Sequence, residues 1–186
     1  MRKWPVAATD ISKAFLQGVT YKELAELTGE KLREVNFYLP NRSVEALKKI
    51  PGFENFNPVL EVLHCDKPGT GSVDAPRAFH IKLSMILRGT LNFVPCKSDE
   101  ELLVLHHRNF SNSKYIKGKP GLLGNPPAKH RDAKDVDAHP GDLVAVVAIH
   151  VDDLKLTAAK PVIEWIVGCL EATFGKLVTQ WNSFTN

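Results

Sequence analysis

The sequence is poor in cysteine, and none of its cysteines is paired by spacing. Cys65, Cys96 and Cys169 make an odd count, and no C-x-x-C occurs. That argues against a disulfide-built scaffold and for a reducing, intracellular compartment, cytoplasmic or nuclear. His64-Cys65, and Cys96 with His106-His107, match no established zinc-site spacing. Long apolar runs are also lacking. The longest, 143–151, is far too short to cross a bilayer as a helix, so no membrane partner is expected. The opening MRKWPVAATD has no apolar core of a secretory signal, and none is expected to act there. Charge of one sign is lacking too. Lys+Arg 24 against Asp+Glu 21 leaves +3, which neither demands nor excludes a nucleic-acid partner. No internal repeat is present.

What is there is ordinary globular composition, 44% hydrophobic and 24% charged over 186 residues, enough for one domain with a sizeable core. The apolar stretch 4–9 reads as a strand ending at Asp10, followed by a short amphipathic turn or helix closed by Gly18. A helix begins at Tyr21, with Leu24, Leu27 and Leu32 near helical spacing and Gly29 interrupting, before a strand at VNFYL that Pro40 stops. SVEALKKI reads as a helix capped by Ser43, with Lys48 and Lys49 suited to its C-terminal end. PVLEVLHC reads as a strand, DKPGTGSVDAP as a loop, RAFHIKLSMIL as a helix and ELLVLHH as a strand. Residues 108–141 hold Pro120, Pro126, Pro127 and Pro140 and charges of both signs, and read as a long surface loop or insertion. Its cations (Lys114, Lys117, Lys119, Lys129, Arg131) suit phosphate, while Asp132, Asp135 and Asp137 offset them. Strands are then expected over 143–151 and 154–157, a helix over 162–174 ending at Gly175, and a final strand or tail at KLVTQWNSF.

Within VVAIHVDDLKL an apolar run is broken by two adjacent aspartates. Carboxylates are rarely buried, and neighbours disfavour each other's ionisation. Asp tolerates tight-turn geometry, so the pair reads either as a polar hairpin turn or as part of a divalent-metal site. The second reading needs another carboxylate from a different strand, and Asp10 ends one. Periodicity alone does not bring Asp10 to the pair.

Several blocks, in order, carry a family resemblance. ATDISKAFLQG looks like the D-x-x-x-AFLxG block of copia-type retrotransposon reverse transcriptases, and VNFYLP is similar to the strand after it. GTGSVDAPRAFHIKL resembles the block Y-G-L-K-Q-A-P-R-A-W, VVAIHVDDLKL the block with Y-V-D-D, and LEATFGKL the helix and turn beyond. The resemblance implies an α+β fold: the palm of a right-hand polymerase, an antiparallel sheet with two helices on one face. It divides the chain into a first palm part (1–107), the insertion (108–141) and a second palm part (142–186). The strand ending at Asp10 should lie beside the hairpin at 143–157.

The resemblance implies catalytic roles for Asp10, Asp152 and Asp153, holding Mg²⁺ or Mn²⁺, with Asp10 and Asp152 the most direct ligands and the Ile11 carbonyl assisting. Phe15 stands where such enzymes place an aromatic gate under the incoming sugar, although an ordinary core aromatic explains it equally. Gly71 would let backbone approach nucleotide or template, and Arg77 would contact phosphate or pin its loop. The implied partners are an RNA or DNA template-primer and a deoxynucleoside triphosphate. Three residues depart from the pattern: His150 for Tyr, Thr70 for Tyr and Asp74 for Gln. The blocks cover the palm alone, so the resemblance implies a weak or inactive polymerase piece without fingers and thumb, drawn from a longer polyprotein. Two rivals remain. One is a remnant with idle aspartates. The other is a DNA-binding helix-turn-helix over 20–39, with Ala25, Gly29 and Val35 near the required spacing but Glu30 and Glu34 on its second helix.

Overall fold

The computed structural model describes residues 4–110 and 142–182. The expected insertion falls largely at 111–141, so its cations and aspartates lie outside the described residues. The described chain is mixed α and β, built on a six-stranded sheet in the order β4-β5-β6-β7-β1-β8, every pairing antiparallel. Its strands are β1 (Val6–Asp10), β4 (Val94–Pro95), β5 (Leu102–His106), β6 (Leu143–His150), β7 (Asp153–Ala158) and β8 (Val178–Trp181). A two-stranded sheet pairs β2 (Val35–Phe37) with β3 (Leu63–Cys65). The helices are α1 (Tyr21–Thr28), α2 (Asn41–Leu47), α3 (Ala75–Ser84), the short α4 (His107–Phe110) and α5 (Lys160–Phe174).

Strand alternation decides the two faces of the large sheet. Ala7, Leu103, Leu105, Ala145, Val147, Ile149, Leu154, Leu156 and Ala158 point inward and are buried. They share one apolar cluster with Phe79 and Leu83 of α3 and with Val162, Ile163, Trp165, Ile166 and Leu170 of α5. The outward positions include Asp10, His150, Asp153 and Lys155, all exposed. As expected, the strand ending at Asp10 lies beside the 143–157 hairpin, in the register Val6↔Thr157 to Asp10↔Asp153.

Local chemistry moved several boundaries. The helix-turn-helix does not form. α1 ends at Thr28, Gly29 takes φ 71° as its cap and donates to the Ala25 carbonyl, and no second helix precedes β2. Instead Glu30 pairs with Arg77 and Arg33 with Asp74, which ties this stretch to the start of α3. Ser43 is not a cap: α2 starts at Asn41 after Pro40, and no side chain caps it. Only the last three residues of PVLEVLHC are strand. The Asn57 carbonyl and side chain accept from Glu61 and Val59, and this Asx-type turn wins over β propensity, leaving Val59 and Leu60 exposed. The helix at α3 continues as a π-helical turn, Met85–Thr90, and the loop before α1 approaches α3 so closely that the Val19 amide donates to the Ala78 carbonyl.

Candidate metal centre

Three backbone features bring the acidic side chains together. β1 runs between β7 and β8, and its last residue, Asp10, sits directly opposite Asp153, the first residue of β7. Across β6, Asp153 faces His150, so the hairpin loop is two residues long, Val151 and Asp152. The aspartates were expected to share the turn; Asp152 lies in it and Asp153 already opens the strand. Val151 has φ 57°, matching the positive φ that a II′-type hairpin turn needs at its first central residue. A β-branched residue there is strained, by roughly 1–3 kcal/mol.

The inward side of the same strands fixes this arrangement. Thr9 is buried and donates from its hydroxyl to the Val178 carbonyl at 3.3 Å, and Leu154 beside it is fully buried. A slip of one residue would carry Asp10 into the core and Thr9 out of it. The outcome is one oxygen from each of Asp10, Asp152 and Asp153 within 4.8 Å of the others, on the solvent-facing side. Like charges directly opposite across strands are destabilising. Partial desolvation, then the charges of Asp152 and Asp153, push the Asp10 carboxyl above its usual range, and the Ile11 amide donating to it opposes the shift. A triad of hard oxygen donors open to solvent fits Mg²⁺ or Mn²⁺, which take carboxylates and retain water.

The remaining expected site residues are spread around this centre. Ile11 follows Asp10 and its side chain is buried. Phe15 lies in the 3₁₀ turn Ala14–Gln17, half-buried and packed against the main core. Gly71 has φ 91°, and a Cβ there would meet nothing within 4 Å, so it serves the turn of the loop rather than a tight contact within the chain. Arg77 donates to both carboxylate oxygens of Glu30, at 2.9 and 3.0 Å. These bonds tie the stretch after α1 to the start of α3. Asp74, which stands where the pattern has Gln, is paired with Arg33.

Sequence reasoning missed a cavity of about 360 Å³ beside the hairpin tip, lined by Arg77, His80, Glu101, Ile149, His150 and Val151. Its walls come from three separated segments, and no local pattern signals that. No helix among the described residues is long and apolar enough to cross a membrane. Neither a family model, nor a curated protein, nor a solved structure matches this chain.

Proposed function

We propose that the chain is a reverse transcriptase-like palm that adds deoxynucleotides to a primer on an RNA or DNA template. The observation that carries this reading is the meeting of Asp10 with Asp152 and Asp153, from opposite ends of the chain, in one oxygen-lined group. The primer 3′-hydroxyl would attack the α-phosphorus, forming the new O–P bond and breaking the bond to the β-phosphate oxygen. Its proton passes to solvent and pyrophosphate leaves. In the two-metal chemistry such a site supports, Asp10 and Asp152, with Asp153, would hold two divalent cations, one lowering the pKa of that hydroxyl and the other offsetting charge on the leaving pyrophosphate. Asp153 would add charge to the same group, and the strained Val151 loop would fix Asp152 at the hairpin tip.

Primer extension on an RNA template with Mg²⁺ tests this, comparing the chain with Asp152→Asn. Loss of at least about a hundredfold in the variant is expected if the carboxylate binds the reacting metal. Equal incorporation by both would sink the reading and leave a remnant with idle aspartates. Phe15, five residues beyond Asp10, would bar a 2′-hydroxyl. Phe15→Val should then raise ribonucleotide incorporation relative to deoxynucleotide, and an unchanged ratio would return Phe15 to the core.

A further inference from the structure

A second concavity, lined by none of the three aspartates, has the chemistry of a ligand pocket. Its volume is about 350 Å³, within the usual range for small-molecule sites. Gly18, Val19 and Thr20 form one wall, and Lys82, Met85 and Ile86 of α3 and its π-helical continuation form another. Val19 and Ile86 are buried apolar residues. Thr173 of α5 also lines the pocket, and its hydroxyl oxygen is buried with no hydrogen-bond partner. A buried hydroxyl without a partner costs stability unless something occupies the space before it.

The charges in the pocket are unequal. Lys67, Lys82 and Glu23 line it, two cations against one anion. Glu23 is already engaged: it accepts from the Thr20 amide at 2.7 Å and the Thr20 hydroxyl at 2.9 Å, as half of the capping box of α1. Lys82 is partly withdrawn from water and lies near Lys67, and both effects lower its affinity for a proton, with Glu23 a weaker opposing influence. A bound monoanion would balance the surplus positive charge.

We infer that this pocket binds a small amphipathic carboxylate. Its head would lie between the Lys67 and Lys82 ammonium groups, and its apolar body would lie against Val19, Met85 and Ile86. The inference rests on the pocket alone and holds whether or not the aspartates catalyse anything.

The chain has two methionines, and Met85 is the one in the pocket. Carbon-13 methyl-labelled methionine therefore gives a local reporter. The intact protein is titrated with 4-phenylbutyrate and, separately, with 4-phenylbutanol as the neutral isostere. The Met85 methyl signal should saturate with the carboxylate at roughly tenfold lower concentration than with the alcohol, the scale of one charge-assisted hydrogen bond. Lys82→Gln should reduce that preference to below about twofold, and Thr173→Val should weaken carboxylate binding several-fold. Should Lys82→Gln fail to fold, Lys67→Gln serves the same purpose. Equal affinity for acid and alcohol, or a preference that survives removal of the lysine charge, would overturn the inference.

Discussion

At the scale of single residues, the acidic group is a cost the fold carries. Asp10 and Asp153 are cross-strand partners, and Asp152 lies within reach of both. The folded carboxyl of Asp10 sits above its reference value of 3.8, so the folded chain binds a proton that the unfolded chain releases first. Stability from this group is therefore present in full at pH below the unfolded value and is lost as pH rises through the folded one. Asp10→Asn removes the repulsion. Without metal at pH 7 it should raise stability by about 0.2–1 kcal/mol, read as a higher thermal midpoint, and it should flatten the loss of stability that sets in as pH rises above the unfolded carboxyl's range. With Mg²⁺ the order should invert, because the unsubstituted chain gains from binding and the variant does not. A variant stabilised by Mg²⁺ as much as the original would show that the cation does not use Asp10.

At the scale of elements, the close seating of the loop before α1 on α3 matters most. A Cβ on Gly18 would come within 2.9 Å of the Ala78 carbonyl carbon and the Phe79 nitrogen, both backbone atoms that cannot swing aside. Gly18→Ala should cost roughly 1–3 kcal/mol, measured by denaturant unfolding, with the loss appearing as a lower midpoint at unchanged slope. A neutral result would mean that the loop and α3 separate freely. This contact also shows what was legible beforehand. The sequence marked Gly18 as the end of an amphipathic turn, but not as a spacer between two backbones, because the partner lies sixty residues on. The short apolar runs that become β1, β5, β6 and β7 could be read directly as strands, as could α5 with its closing Gly175. Segments governed by one side chain's local hydrogen bonds were misread. Asn57 turned most of an expected strand into a loop, and the ion pairs of Glu30 and Arg33 accompany a segment with no second helix.

At the scale of the whole molecule, one apolar cluster ties the large sheet to α3 and α5, and the acidic group lies on the sheet's other side. The residues Asp10, Asp152 and Asp153 were identifiable from the sequence, yet periodicity carries no information about strand order. Their meeting followed only from the resemblance and from the register β1 takes beside β7. The core should therefore govern the site at a distance. Leu156 is almost fully buried and lies across from Ala7 in β1 and Val147 in β6. Leu156→Ala should cost about 2–5 kcal/mol and, by loosening three strands together, weaken Mg²⁺ binding in calorimetry even though it touches no carboxylate. Metal affinity unchanged in a destabilised but folded variant would mean that the hairpin holds its geometry without the core.

The position of β1 between β7 and β8 has a consequence for how the chain is made. Its five residues leave the ribosome well before both neighbours, which come from the stretch 153–181. Pairing across such a separation is slow to form. Until those last strands emerge, β1 has neither edge satisfied and Asp10 has no acidic company. The cluster thus exists only once nearly the entire described chain has been translated and threaded into one sheet. A nascent polypeptide stalled before residue 153 should bind no manganese, and the ability to do so should appear abruptly, as a timestamp of completed folding.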